Sequence, residues 1–441
     1  MAGFGDLRVS LRSQWFLERI VATGSLVLRR LGVNRAGEMA AQRLLASPYA
    51  SVDAVIDTVS ARTAEACAGR EIVCAQDTSE INFKSRAMPP EGLGPGGDGQ
   101  SPAFFVHPLV AIDAEDGCVM GLVGARLWTR AREPVTGHRQ RLPESKESDR
   151  WRAGAQRAGE ALAGASRVTV VGDRESDIYH LLAHRPDGVD LVVRAAHDRA
   201  LEDGGLLFAA LAASDVVETR SIAIGPRGPG DKGREAVVEL KARRVVLKKP
   251  RSLATGDTPE TVAVTLVEAR EGHPPPGKKP VIWWLLSSAE RPAGEIVNLY
   301  RLRWRIEEVF RTLKSGLGLP DTQVSSLRRL LLLAAYGLAA AARIIQLVDA
   351  RDGSRQSLGT VIDRAFKPAL VAISATLEGK TQKQKNPHPP ESLAFLSWIC
   401  ARLGGWNCYY KPPGPKTMAT GWNALAQQLA GYAVANALKN A

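Results

Sequence analysis

The first 70 residues show apolar positions that recur with the period of an α-helix. The pattern runs through residues 15–31, 36–45 and 51–67, so it predicts three helices in an N-terminal domain over residues 1–70. The basic residues of this segment are all arginines. Arginine suits bidentate contact with phosphate groups, but the solvated surface of a helix bundle carries it as well.

Between residues 71 and 195 the pattern changes to short apolar runs separated by amphipathic stretches. The runs predict strands at 71–76, 103–112, 118–128, 167–172 and 190–194, and the stretches predict helices at 145–163 and 175–184. A tract rich in glycine and proline occupies residues 88–100. The order of these elements fits a mixed sheet covered by helices.

Apolar and polar residues alternate in several runs between residues 215 and 285, which predicts an all-β insertion at about 205–285. Six of the eleven residues 241–251 are basic. A solvated strand and a strand lying along a phosphate backbone explain them equally well. The helical period returns at 293–316 and continues to about residue 377. We therefore predict a central domain over 71–375 and a C-terminal domain over 376–441.

Charge and composition favour a protein that binds a polyanion and argue against zinc-binding, disulfide-rich and membrane-spanning proteins. The 441 residues include 58 Lys and Arg against 46 Asp and Glu, a net charge of +12 that favours a polyanionic partner such as nucleic acid. The five cysteines form no CxxC pair, so neither a zinc site nor a disulfide framework is expected, and a reducing cytosol is the default. The longest uncharged apolar run, 330–342, is shorter than a membrane span of about 20 residues and predicts a buried helix. No signal peptide is expected.

Common catalytic signatures are absent, and what remains is acidic residues at the ends of predicted strands. The sequence has no HExxH or GxSxG motif, and GKT at 379–381 lacks the upstream glycine of a phosphate-binding loop. Asp77 and Asp173 each follow a strand, where an aspartate is most often a turn residue or helix cap. In GDRESDI, Glu175 and Asp177 are available to serve the helix N-terminus, which leaves Asp173 free to point away from the sheet end.

A third candidate element is the predicted helix that contains the segment 300–314. At 100° per residue, four polar side chains fall within about 60° of one another on one face of that helix: Tyr300, Arg303, Glu307 and Lys314. Arg311 joins the same face, whereas Glu308 points elsewhere. A salt-bridged solvated face explains the charges, but it explains the tyrosine less well.

Together these motifs resemble the bacterial cut-and-paste DDE transposases, and specifically the insertion-sequence-four family of the Tn-five type. The resemblance is carried by DTSEINF with Asp77, by GDRESDI with Asp173, and by the spacing Y-x2-R-x3-E-x6-K that begins at Tyr300. It extends to GLGPGG (92–97), ESKESDRW (144–151), LVVRAAH (191–197), LLSSAERP (285–292) and ARLGGW (401–406). It therefore covers nearly the whole chain.

The resemblance implies an α/β (α+β) fold with an RNase H-like, retroviral-integrase-like catalytic core and an all-β insertion. The helical N-terminal domain (1–70) would bind DNA, and the helical C-terminal domain (376–441) would serve dimerisation and DNA contact. Asp77, Asp173 and Glu307 would form an acidic triad that holds two Mg²⁺ ions, for which Mn²⁺ substitutes. Such a pair, about 3.5–4 Å apart, activates the attacking oxygen and stabilises the leaving oxygen. The implied chemistry is strand nicking, hairpin formation, hairpin opening and strand transfer.

The resemblance also implies the residues that contact DNA. Tyr300, Arg303, Lys314 and Arg194 would grip phosphates near a base displaced from the stack, and Arg311 is added because it shares their helix face. Trp284 would stack on the displaced base. A tryptophan packed in the core beside Trp283 is the alternative interpretation of that residue.

The partners implied are double-stranded DNA, as transposon inverted-repeat ends and target, and a second copy of the chain in the synaptic complex. Membrane association is not expected, and the location would be the bacterial cytoplasm with the nucleoid. An apolar stripe on the last predicted helix is a candidate dimer surface, although it could instead pack on its own domain; its residues are Trp422, Leu425, Leu429 and Val434.

Two other functions stay open at this point. A truncated or domesticated DNA-binding protein could regulate transposition without cutting, although the intact acidic triad argues against lost catalysis. A general metal-dependent nuclease would explain the carboxylates but not the face formed by Tyr300, Arg303 and Lys314.

Overall fold

The computed structural model describes residues 6–131, 146–225, 233–251, 253 and 257–439. The remaining parts of the predicted domains, of the helix at 145–163 and of the β insertion lie outside the described residues. Within these ranges the chain forms one eleven-stranded mixed sheet with helices on both faces. The strands are β1 (Glu71–Gln76), β2 (Ser79–Asn82), β3 (Gly94–Pro95), β4 (Pro102–Asp113), β5 (Val119–Trp128), β6 (Arg167–Gly172), β7 (Val189–Arg194), β8 (Glu218–Ile224), β9 (Arg234–Lys248), β10 (Thr261–Glu271) and β11 (Ile282–Ser287).

Three parallel strands form the centre of the sheet. The strand order is β2-β4-β1-β6-β7-β11-β10-β9-β8, with β3 and β5 paired to β4. β1, β6 and β7 run parallel, whereas β4 and β11 flank them antiparallel. The central strands are apolar runs because helices cover both of their faces. Their carboxyl ends therefore lie at one edge of the sheet.

The strands predicted as an all-β insertion extend this same sheet. β11 pairs directly with β7, and β10, β9 and β8 follow it outward in antiparallel order. The run at 282–287 thus joins the same sheet as β1, β6 and β7, because it supplies the hydrogen-bonding partner on the outer side of β7. Sequence periodicity identified these strands but could not show which edge they join.

Twelve α-helices are described: α1 (Leu7–Thr23), α2 (Leu28–Gly32), α3 (Arg35–Ala46), α4 (Val52–Cys67), α5 (Arg150–Ala161), α6 (Tyr179–Ala183), α7 (Ala293–Leu302), α8 (Arg305–Arg311), α9 (Leu327–Ala350), α10 (Lys367–Leu377), α11 (Leu393–Leu403) and α12 (Pro415–Lys439). The helix predicted over 15–31 is two helices, because Gly24 ends α1 with a positive φ of 57°. The helix predicted over 175–184 is a 3₁₀ turn at Arg174–Ser176 followed by the short α6.

The N-terminal, central and C-terminal helices share one hydrophobic core, with α9 in its middle. α9 is long and apolar enough to cross a membrane, but 83% of its most apolar stretch is buried inside the protein. The apolar stripe on α12 is not a free surface, which corrects the sequence interpretation. Trp422, Leu425 and Leu429 are buried in the shared core, and only Val434 is exposed.

Candidate active site

Asp77 and Asp173 lie side by side at the carboxyl edge of the sheet. The parallel register of β1 and β6 pairs Ala75 with Val171, so two residues further Asp77 stands opposite Asp173. Adjacent strands lie about 4.8 Å apart. Alternation along each strand puts both aspartates on the face of Ala75 and Val171, which pack in the same core as residues of α7, α8 and α9.

Glu307 reaches this edge from α8 and is joined to Asp77 through an arginine. Arg303 donates a hydrogen bond from Nη1 to Asp77 Oδ2 at 2.7 Å and another from Nη2 to Glu307 Oε1 at 3.3 Å. The side chains of Asp77 and Arg303 are 13% and 14% exposed, so the pair is largely shielded from water. The structure thus brings the three predicted acids and Arg303 together.

The helix predicted over 293–316 is interrupted at Arg303. Arg303 and Trp304 donate backbone hydrogen bonds three residues back, to Tyr300 and Arg301, which is 3₁₀ rather than α geometry. Each residue in such a turn advances about 120° instead of 100°. Side chains three residues apart in such a turn lie on the same side, so Tyr300 and Arg303 stay neighbours: Tyr300 is 5% exposed, and Arg303 reaches Asp77 and Glu307. A π-helical turn at Thr312–Gly316 follows α8.

Burial and a neighbouring carboxylate both disfavour the charged form of Asp77. The pKa of the Asp77 carboxyl is raised to about 7, chiefly by burial and then by the neighbouring Asp173 carboxylate. Glu307 raises this pKa by a smaller amount, whereas Arg303 lowers it. Carboxylate oxygens are the ligands that Mg²⁺ prefers. Among the described residues, no three His, Cys, Asp or Glu side chains are close enough to hold one ion as they stand. The donor set fits a divalent cation: Asp77 and Asp173 would hold it, and Glu307 could join them on leaving Arg303.

Capping roles in GDRESDI differ from the sequence interpretation. Asp173 itself accepts a hydrogen bond from the backbone N–H of Glu175 at 2.9 Å. Asp177 is buried and binds the loop after β7, because it accepts bonds from Arg199 and from the backbone N–H groups of Ala196 and His197. Asp177 therefore holds the loop that follows β7, and Asp173 is not free of local structure.

Arg194 and Tyr300 form a second cluster beside the carboxylates. The Arg194 guanidinium lies beside the Tyr300 hydroxyl and donates a hydrogen bond to the Ile282 carbonyl oxygen at 3.2 Å. Burial lowers the pKa of Arg194 and raises that of Tyr300. The Trp283 ring meets the Tyr300 ring edge-on, with 5.5 Å between centroids.

Trp284 does not belong to this cluster, which corrects the residue named from the sequence. Arg194 pairs across the sheet with Leu285, so it shares a face with Leu285 and with Trp283 two residues earlier. Trp284 points to the opposite face, where its ring lies 5.0 Å from that of Phe208. The strand period of two puts neighbouring tryptophans on opposite faces, and the sequence could not tell which face holds the carboxylates.

Lys314 and Arg311 flank the site. Lys314 is half-buried, and burial lowers its pKa while the nearby Glu80 and Glu307 carboxylates raise it. Arg311 is exposed one helical turn beyond Glu307. Glu80 was not singled out from the sequence, although it lies three residues after Asp77; it accepts a hydrogen bond at 2.7 Å from a backbone N–H of the GLGPGG tract.

Residues 139–342 match the family model of the transposase DDE domain. The matched segment contains Asp173 and Glu307, and the described architecture of a large mixed sheet with helices is consistent with an RNase H-like domain of this type. The match supports assignment as a DDE transposase, a class of polynucleotidyl transferases and endonucleases that act on DNA and generally use a divalent metal ion.

Proposed function

We propose that the protein is the transposase of a bacterial insertion sequence, which excises its element and inserts it elsewhere by cut-and-paste transposition. The observation that carries the proposal is the meeting of Asp77, Asp173 and Glu307 at the carboxyl edge of one sheet, although they come from distant parts of the chain. The match of 139–342 to the transposase DDE domain supports the same conclusion.

In this proposal Asp77, Asp173 and Glu307 hold two Mg²⁺ ions, with Mn²⁺ as a substitute. When bound there, the ions would supply activation of the attacking oxygen and stabilisation of the leaving oxygen. In each cleavage a water oxygen forms a bond to phosphorus as the P–O3′ bond breaks, and the leaving 3′ oxygen takes a proton. In hairpin formation and strand transfer a DNA 3′-hydroxyl replaces the water.

The basic and aromatic side chains around the carboxylates would hold the DNA end. Arg194, Tyr300 and Arg303 form a connected, largely buried cluster that suits a displaced nucleotide, with charged donors for its phosphates. Trp283 is the aromatic residue adjoining this cluster, so we assign to it the stacking role expected of Trp284. Lys314 and Arg311 extend the basic surface along the same helix segment.

Two ends must be joined to one target, and one active site per chain therefore implies two chains. We propose a homodimer in the synaptic complex, with inverted-repeat ends and target DNA as partners. The buried residues of α12 cannot provide its interface while the core is intact. Proteins of this class are typically soluble and cytoplasmic, and we propose a location with the nucleoid.

The proposal is tested by cleavage of linear DNA that carries the sequences flanking the gene. Asp77→Asn, Asp173→Asn and Glu307→Gln should each reduce Mg²⁺-dependent cleavage by about 1,000-fold or more, because each removes a ligand whose ion contributes several kcal/mol to the transition state. DNA binding, measured by fluorescence anisotropy, should persist.

Glu308→Gln is the matched control, because Glu308 pairs with Arg305 rather than with Arg303. It should leave cleavage within a few-fold of the original chain. Retained cleavage in any of the three triad variants would contradict the assignment of that residue.

A further inference from the structure

Arg150, the first residue of α5, is a buried cation beside the active site that the proposed function does not use. It is 9% exposed and is held by three hydrogen bonds. Nε donates to Thr78 Oγ1 at 2.7 Å, Nη2 donates to Glu175 Oε2 at 2.7 Å, and Nη1 donates to the Glu147 carbonyl oxygen at 3.1 Å. All three arms of the guanidinium fork are engaged.

Through these bonds Arg150 connects the two aspartates. The backbone N–H of Thr78 donates to Asp77 Oδ1 at 2.7 Å, and the backbone N–H of Glu175 donates to Asp173 Oδ1 at 2.9 Å. Four hydrogen bonds thus run without a gap from Asp77 through Thr78, Arg150 and Glu175 to Asp173. Alternation along the strand puts Thr78 on the sheet face opposite Asp77, so Arg150 holds the carboxylates from behind.

The Thr78 hydroxyl has its orientation fixed by a second partner. It lies 2.9 Å from His107 Nδ1, and burial lowers the pKa of His107 to about 3, so the neutral ring accepts the hydroxyl proton. His107 Nε2 in turn lies 3.2 Å from Gln76 Oε1, and Gln76 Nε2 donates to the Trp151 carbonyl oxygen. The Thr78 oxygen therefore offers its free lone pairs to Arg150.

We propose that Arg150 is a positioning residue for the carboxylate pair. By tying the loop after β1 to the loop after β6, it fixes the separation and orientation of Asp77 and Asp173 and so sets their affinity for a divalent cation. The inference rests on the proposed function. The rigid, planar fork is essential, because a lysine ammonium in the same place keeps the charge without the three-point geometry.

The test is Mn²⁺ binding to the full chain without DNA, measured from the electron paramagnetic resonance signal of free Mn²⁺. Arg150→Gln and Arg150→Lys should both weaken binding by about 10–100-fold, the usual effect of removing a residue that orients metal ligands. Thr78→Val should weaken it similarly, whereas Thr78→Ser, which keeps the hydroxyl, should restore it. Circular dichroism checks folding.

Arg152→Gln is the matched control, because Arg152 lies on the same helix and binds Asp149 three residues away. It should bind Mn²⁺ as the original chain does. If Arg150→Gln fails to fold, Arg150→Lys and Thr78→Val test the inference instead, because both are expected to weaken Mn²⁺ binding.

Two results would overturn the inference. Unchanged affinity in a folded Arg150→Gln variant would show that the network has no effect on the carboxylates, and full affinity in Arg150→Lys would show that charge alone matters. In either case the proposed function stands if Asp173→Asn abolishes Mn²⁺ binding. Binding that survives Asp173→Asn would overturn the proposed function and this inference with it.

Discussion

At the scale of single residues, Asp77 combines three opposing influences. Burial and the Asp173 carboxylate disfavour its charge, while Arg303 supports it from 2.7 Å away. The sequence alone predicts the three acids. Asp77 and Asp173 directly follow apolar runs, and Glu307 belongs to a motif of fixed spacing. It could not predict Thr78 and Arg150 as their supports, because those contacts depend on the packing of α5 against the far face of the sheet.

The raised pKa of Asp77 predicts how stability depends on pH. The carboxyl has a pKa of about 7 when folded and 3.8 as the reference value, so its favourable contribution is complete below 3.8 and is lost as the pH rises through 7. Between pH 5 and pH 8 the metal-free chain should lose about 3 kcal/mol of unfolding free energy from this group. Asp77→Asn should remove that loss, as measured by urea unfolding across the same range.

Asp187→Asn, at an exposed turn, serves as the control and should follow the pH profile of the original chain. A profile for Asp77→Asn parallel to the original one would mean that Asp77 is already charged at pH 5.

At the scale of elements, the hydrophobic pattern predicts where strands and helices lie but not a local change of helix geometry or the face on which a side chain falls. The strands at 71–76, 167–172 and 190–194 were predicted to within one residue, because their apolar runs end at polar or glycine residues. The continuous helix over 293–316 was wrong, because the 3₁₀ turn at Arg303 leaves no trace in the hydrophobic pattern. The sequence likewise could not show which of the two tryptophans of β11 lies on the face of the carboxylates, because neighbouring residues of a strand point to opposite faces.

The faces of β11 predict that its tryptophans have separable roles. Trp283→Ala should weaken binding of a DNA end by about 1–3 kcal/mol, the contribution of stacking one base on an aromatic ring. Trp284→Ala should leave DNA affinity nearly unchanged and lower the unfolding free energy by about 2 kcal/mol, less than the truncation of a fully buried tryptophan. Fluorescence anisotropy measures the DNA affinity, and urea unfolding measures the free energy of unfolding. Loss of DNA binding in Trp284→Ala alone would assign the stacking role to Trp284 instead.

At the scale of the whole molecule, the helices of all three predicted domains form one core. α11 and α12 pack with α9 and α1, and the Ser397 hydroxyl on α11 donates to the Leu347 carbonyl oxygen of α9 at 2.6 Å. A chain truncated before residue 380 would expose this core and fail to fold. Truncation therefore cannot test whether the C-terminal segment forms the proposed dimer interface. Composition alone predicts the positive charge of the molecule, but the sequence could not show how its helices share a core.

The net charge of +12 predicts strongly salt-dependent binding to DNA, because each neutralised phosphate releases counterions. Lys314→Ala and Arg311→Ala should each weaken binding and reduce the slope of log affinity against log salt by about one. Arg167→Ala is the control, because Arg167 begins β6 at the edge remote from Asp173 and pairs with Asp190. Affinity that does not change with salt would remove the nucleic-acid interpretation.

Asp77, Asp173 and Glu307 are proposed to form one site that holds the divalent cations for DNA cleavage. The most direct measurement is the anomalous diffraction of Mn²⁺ in crystals of the protein bound to a DNA end. We expect anomalous density within about 2.6 Å of carboxylate oxygens of Asp77 and Asp173, with Glu307 released from Arg303 and the scissile phosphate alongside. Density remote from these carboxylates, or bound DNA with Arg303 still joining Asp77 to Glu307 and no ion present, would contradict it.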